Sequence, residues 1–393
     1  DHAGGWIGDM AAARGRFCFA VDNRQRVRPC GNLRFPPNGS GVTQELATLA
    51  YVARHFNFED ARQETLDAEK DVTEITVFKD LGTTSKLIRY ATLPDATEMT
   101  KFNNLALDLT VNCVNHDEGD CAIRSDMVHV AVCDLPTETT GANDVACNTE
   151  IGRWSLPDLR EGRWVSDATP MLAALANGGK RKFMLWTPEQ TFKDGSTDKF
   201  VTLKYDLKLR FRKSEATTRP TEIVPLWVGN LGEAVPFDQT YNPAHLAQKV
   251  AIPAGAKKVE LVALITGHGW GANDENCATF CKQKHAFSVG GKEFSLDHDN
   301  AGESSGCVEM AGKGMTPTQF SNWQYGRAGW CTGMDVRPLV ADITSAVKPG
   351  SDAMISYQAL YEGKPYTPKK KKDPASGAFD AEMLRTVYLV IHK

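Results

Sequence analysis

Val201, Leu203, Tyr205, Leu207, Leu209 and Phe211 alternate with Thr202, Lys204, Asp206, Lys208 and Arg210. A period of two marks a strand with one face on a core and the other in water, because successive side chains point to opposite faces. The same alternation recurs in Leu105, Leu107, Leu109 and Val111, against Ala106, Asp108, Thr110 and Asn112, and in Val128, Val130 and Val132, against His129 and Ala131. Short strands separated by Gly, Pro and Asn/Asp loops run from about residue 72 onward, and they imply β-sandwiches. No internal repeat is strong enough to suggest a propeller or solenoid.

At 393 residues the chain exceeds one ordinary core, so more than one domain is expected. The polar stretch Lys213 to Thr221, containing Glu215-Ala216-Thr217-Thr218-Arg219-Pro220, is the best boundary between two sandwich domains, 72–220 and 221–393. Residues 1–71 form a separate extension. It opens with the loop-rich Gly4-Gly5 and Phe35-Pro36-Pro37-Asn38-Gly39-Ser40-Gly41 runs. Val42, Leu46, Leu49, Ala53 and Phe56 then recur at helical spacing with Thr43 available as an N-cap. Glu59 to Asp71 is highly charged and reads as a linker or exposed helix. Lys369-Lys370-Lys371-Lys372 reads as a solvated loop, and Asn38-Gly39-Ser40 as a chance sequon.

Charged residues make up 24% and the apolar set 41%, as in ordinary globular proteins, and the formal net charge of -4 argues against nucleic acid or an anionic membrane as the main partner. No apolar run is long enough to span a bilayer. Ten cysteines, at 18, 30, 113, 121, 133, 147, 277, 281, 307 and 331, sit at tight local spacings that favour disulfides. Such bridges imply a secreted, periplasmic or cell-surface protein, and a first residue of Asp1 fits a signal peptide already removed. Reduced cysteines in a cytosolic enzyme are the plainer alternative; zinc is disfavoured because no Cys-x-x-Cys pair exists.

The richest stretch is Leu261 to Met334. The apolar run Val259 to Ile265 reads as a strand and breaks into Thr266-Gly267-His268-Gly269-Trp270-Gly271. Cys277-Ala278-Thr279-Phe280-Cys281 follows, and the stretch closes on Asn322-Trp323 and Arg327-Ala328-Gly329-Trp330-Cys331-Thr332-Gly333-Met334. Rigid loops carrying indoles and a guanidinium on a β scaffold suit sugar, whose apolar ring faces stack on aromatics while its hydroxyls hydrogen-bond. The alternative for each tryptophan is a place in the core beside a disulfide.

These residues resemble the second domain of the bacterial peptide N-glycosidase F family, amidases that remove N-linked glycans from asparagine. Glu150-Ile151-Gly152-Arg153-Trp154 is similar to a run in that family's first domain, and Ile223-Val224-Pro225-Leu226 to its crossover between domains. The likeness covers roughly residues 72–393 as an ordered series of short motifs. It implies two eight-stranded antiparallel jelly rolls side by side after the loop and helix extension. It also implies the bridges Cys113–Cys121, Cys277–Cys281 and Cys307–Cys331, with Cys18–Cys30 and Cys133–Cys147 as additions. The implied partner is an N-glycosylated peptide or glycoprotein, and no cofactor or metal is implied.

In that family one aspartate shortly after a first-domain disulfide is essential, and two glutamates assist, one between the cysteines of a Cys-Ala-Glu-x-Cys unit. Carried over, Asp126 takes the first role, one residue further from Cys121 than the pattern has it; along a strand such a shift would reverse the side chain, whereas a one-residue-longer loop would preserve it. Thr279 stands where one glutamate would be, and it has no acid-base chemistry to offer unless Asp274 or Glu275 reaches in. Glu189 lies near the position of the other. Arg327, Trp330 and Trp323, with Trp270 and Thr279 nearby, are the expected sugar contacts. Thr279 favours a second reading, a catalytically inactive glycan- or peptide-binding or surface structural protein. A third, a copper-dependent monooxygenase of the related two-jelly-roll architecture, would draw on His268, His285 and His298, but their spacing contains no His-x-His or His-x-x-x-His pair, so they read as structural. No Gly-x-Ser-x-Gly elbow, P-loop or dinucleotide fingerprint is present.

Overall fold

The computed structural model describes residues 19–21, 27–29, 41–116, 121–135, 146–194, 197–269, 277–318, 323–361, 363–365 and 380–393. The period-two segments are strands. The first set is β1 (Thr73–Thr83), β2 (Lys86–Asp95), β3 (Asn104–Cys113), β4 (Met127–Val132), β5 (Thr149–Ser155), β6 (Gly162–Asp167), β7 (Gly178–Trp186) and β8 (Leu203–Arg212). They build two four-stranded antiparallel sheets in the orders β1-β8-β3-β6 and β2-β7-β4-β5. Leu203, Tyr205, Leu207, Leu209 and Phe211 are all buried in the core between the two sheets, as the alternation demands.

The second set repeats the plan. It runs β9 (Pro220–Val228), β10 (Gln248–Ala251), β11 (Lys258–His268), β12 (Gln283–Val289), β13 (Lys292–Asp297), β14 (Leu339–Asp342), β15 (Asp352–Tyr361) and β16 (Glu382–His392). The orders β9-β16-β11-β14 and β10-β15-β12-β13 are the first set's orders shifted by eight, and each sheet carries one further short strand, Ala234–Pro236 on β16 and Lys364–Pro365 on β15. In each half the first strand pairs with the last and the second with the last but one, which is the jelly-roll winding. The two-jelly-roll expectation therefore holds.

One sheet explains how the halves join. Along β11, Leu261, Ala263 and Ile265 enter the second core, while the intervening Val262 and Leu264 enter the first. β16 behaves alike, with Val387, Leu389 and Ile391 on one side and Tyr388 and Val390 on the other. A sheet buried on both faces reads as a continuous apolar run rather than an alternation, which is why Val259 to Ile265 carries no polar member but Glu260.

A buried ionic network crosses the same junction. Glu150 accepts from His129 Nδ1 at 2.7 Å, from Arg153 Nε at 2.9 Å and Nη2 at 2.7 Å, and from Thr386 Oγ1 at 2.6 Å. Arg153 Nη1 then donates to Thr266 Oγ1 and to the Leu384 carbonyl, both at 2.9 Å. Burial opposes the Glu150 charge, but Arg153 and His129 outweigh it and hold its carboxyl well below the usual range.

The extension contributes α1 (Gly41–Ala68). It starts before Thr43, so Thr43 falls in the first turn rather than at the cap, and it runs through most of the charged stretch. Four bridges form as expected, Cys113–Cys121, Cys133–Cys147, Cys277–Cys281 and Cys307–Cys331; the Cys18–Cys30 pair lies outside the described residues. Among the described residues no helix is long and apolar enough to cross a membrane.

Candidate functional site: a cleft at the junction

Two first-half loops are tied together beside the junction. The loop after Cys121 is held by Gln190, whose Oε1 accepts from Ile123 N at 2.7 Å and Arg124 N at 3.2 Å, while its Nε2 donates to the Arg124 carbonyl at 2.9 Å. The 156–159 loop closes on it through Leu156 N to the Asp126 carbonyl, 2.9 Å, and Leu159 N to the Ala122 carbonyl, 2.6 Å. Leu159 takes φ 56°, a left-handed conformation that a branched residue adopts at a cost and that recurs at functional loops.

On the second-half side the end of β11, the disulfide turn and the Arg327–Trp330 loop are laced by main-chain bonds. Gly267 N donates to the Ala328 carbonyl at 2.9 Å, Ala328 N to the Thr279 carbonyl at 2.8 Å, and Thr279 N to the Gly269 carbonyl at 2.9 Å. The approach needs glycine, since a Cβ on Gly267 would stand 2.3 Å from the Ala278 carbonyl oxygen.

Between these walls lies a cleft of about 460 Å³ lined by Ile123, Arg124, Ser125, Asp126, Asp158, Leu159, His268 and Trp330. It brings together Asp126 and Trp330, far apart in sequence. Asp126 sits in the loop immediately before β4 rather than on the strand, so the strand-reversal rule does not apply to it. Burial raises its pKa, opposed by Arg124, whose Nε lies 3.3 Å away, and by a hydrogen bond from Gln190.

Trp330 donates its indole N–H to the Gly267 carbonyl at 3.0 Å and stacks with the His268 ring at a centroid separation of 5.2 Å. Arg327 lies over the same indole, 4.7 Å from its centroid. Arg327 is itself only 3% exposed. It is a buried support for Trp330 rather than a surface contact, and burial drops its pKa to about 10, with the charge of Asp158 opposing. Asp158, 4% exposed yet lining the cleft, is thus a carboxyl group close to the buried Arg327 guanidinium.

The remaining expected residues are elsewhere. Trp323 is 2% exposed and packs edge-on against Tyr51 of α1, ring centroids 6.0 Å apart, so here the core alternative prevails over the sugar-contact expectation. Thr279 is buried and outside the cleft lining. Glu189 is exposed and also outside that lining; only its carbonyl approaches the site, accepting from Arg124 Nη2 at 3.1 Å. Trp270, Asp274 and Glu275 lie outside the described residues. His285 and His298 are buried with ring centroids 5.0 Å apart, neither lines the cleft, and among the described residues no three His, Cys, Asp or Glu converge as a metal set.

Sequence reasoning missed Asp158 and the placement of His268. Asp158 belongs to no motif; its one signal was a carboxylate in a proline-bearing loop just after the Glu150–Trp154 run.

Residues 237–390 match the family model for the C-terminal part of peptide-N-glycosidase F. A crystal structure of peptide-N(4)-(N-acetyl-beta-D-glucosaminyl) asparagine amidase superposes with a TM-score of 0.62 at 18% identity, covering 82% of this chain and 96% of that one. PNGase F, a glycosylasparaginase from Flavobacterium meningosepticum, gives 0.58 at 17% identity with the same coverage. PNGF-II in its C2 crystal form gives 0.53 at 13% identity, covering 93% of this chain and 71% of that one. No curated protein matches by sequence.

Proposed function

Starting from a chain that is peptide N-glycosidase F-like in fold and in its second half, we propose that it is a secreted amidase hydrolysing the glycosylamide bond of N-glycosylated asparagine in peptides or glycoproteins. The observation that carries this reading is the junction cleft, where a carboxylate of raised pKa and a rigidly held indole face the same space. A carboxylate made more basic by burial is a better proton acceptor. Asp126 would take a proton from the attacking water and return it to the departing glycosylamine nitrogen. Asp158, with Arg327 at its back, would accept hydrogen bonds from sugar hydroxyls, and the exposed part of Trp330 would meet an apolar ring face. The four disulfides among the described residues suit an oxidising compartment.

A second reading, glycan binding without catalysis, is favoured by one observation: the Cys277–Cys281 turn offers buried Thr279 and no carboxylate. One assay separates the two. Incubation with a denatured high-mannose glycoprotein should release glycan and convert the attachment asparagine to aspartate, and Asp126→Asn should lower kcat by about 10²–10⁴-fold. Binding without release by the wild type would establish the second reading; full release by Asp126→Asn would remove Asp126 from the mechanism.

A further inference from the structure

The ionic network at the junction ends at the cleft. Arg153 Nη1 donates to Thr266 Oγ1 at 2.9 Å, and Thr266 Oγ1 lies 2.8 Å from His268 Nε2. Thr266 is 0% exposed, so its hydroxyl hydrogen needs an acceptor inside the protein. A guanidinium only donates. The one remaining partner of Oγ1 among the described residues is Nε2, which therefore accepts and carries no proton. The single proton of the neutral ring then resides on Nδ1. That atom makes no hydrogen bond among the described residues, and its ring lines the cleft.

We propose that His268 is a further catalytic residue, whose Nδ1–H donates to the carbonyl oxygen of the scissile amide as negative charge develops there, and that Glu150, Arg153 and Thr266 fix the tautomer this requires. The proposal rests on the amidase reading above. As water adds to the amide carbon, the carbonyl π electrons move onto oxygen, which accepts the Nδ1–H hydrogen bond; His268 keeps its proton throughout. Asp126 takes one proton from the water and passes it to nitrogen as the C–N bond breaks, leaving a carboxylic acid and a glycosylamine. A fixed donor aimed at the developing oxyanion is worth more than one that must reorient. The geometry is supported by electrostatics, since burial first, then the charges of Arg153, His129 and Arg327, push the ring pKa down to about 3 and keep it a neutral donor across the working range.

The test uses three variants of the full chain on a glycopeptide. His268→Phe retains an aromatic partner for Trp330 but has no donor, and should lose about 10²–10³-fold in kcat with KM changed by less than about threefold. His268→Asn, whose amide nitrogen stands near the Nδ1 position, should recover part of that loss; His268→Gln, whose nitrogen reaches the Nε2 position, should not. Side-chain ¹⁵N spectra of the wild type should show a neutral, Nδ1-protonated ring at neutral pH, and thermal melts report whether each variant folds. A folded His268→Phe as active as wild type overturns the proposal while leaving the amidase reading intact, and so does rescue by Gln equal to that by Asn. A wild type that releases no glycan ends the amidase reading first and this proposal with it, a result distinct from either.

Discussion

The buried histidines make stability depend on pH. Burial is the first cause that pushes His55, His245 and His298 down to about 4 and His268 to about 3, and it lowers His129 and His285 as well. Each ring binds its proton more weakly folded than unfolded. As pH falls below the ordinary value of 6.5 the unfolded chain takes up protons first, and stability present above that pH is lost progressively toward about 4. Asp126 and Asp335, raised by burial, act in the opposite sense, binding their protons more tightly folded than unfolded. Calorimetry should therefore find the melting temperature at pH 5 lower than at pH 7 by at least about 5 °C; equal values would mean that the rings are hydrated or paired in solution. The same residues show what was legible. Asp126 follows a disulfide and can be found by its motif. Asp158 and His268 become cleft residues only when the 156–159 loop and the end of β11 are brought to one junction, a relation that no local spacing records.

At the scale of elements, α1 is a strap across both halves. Tyr51 packs in a small core with Trp323, Met315 and the Cys307–Cys331 pair, and Arg54 pairs with Glu309 at 2.9 Å, all on second-half residues. Further along, Arg62 donates to the Arg163 carbonyl at 2.9 Å, and Glu69, just past the helix, pairs with Arg210 and Arg212, all on the first half. The buried stripe is Tyr51 and His55 with half-buried Phe58 and Arg62, an i, i+4, i+7, i+11 set. It is mixed in polarity, so an apolar periodicity alone does not find it, and Phe56, one of the expected apolar set, is 58% exposed. Tyr51→Ala should cost about 3–5 kcal/mol, as loss of a fully buried aromatic does, whereas Phe56→Ala should stay within about 0.5 kcal/mol. Urea unfolding measures both, and comparable losses at the two positions would return the apolar face to the interface.

At the scale of the molecule, the two jelly rolls share one doubly buried sheet and one buried ionic network, and the cleft lies where they meet. Strands with a wet face, such as β8, were readable from alternation, whereas β4 is buried at every position although its sequence alternates. The junction was not readable, because a strand buried on both sides loses its period, and what covers the second face shows only in sequence-distant contacts, those of Val262, Leu264, Tyr388 and Val390 with the first core and of Arg153 with Thr266 and Leu384. A wider depression of about 610 Å³ on the second jelly roll, lined by residues such as Ser288, Gly290, Lys348 and Asp352, is the competing place for a ligand. The decisive measurement is a crystal structure of the Asp126→Asn variant with a glycosylated asparagine peptide. The first sugar should lie against Trp330 with the amide carbonyl facing His268 and position 126. Sugar seated in the Ser288–Asp352 depression, or anywhere away from the junction, would contradict the account.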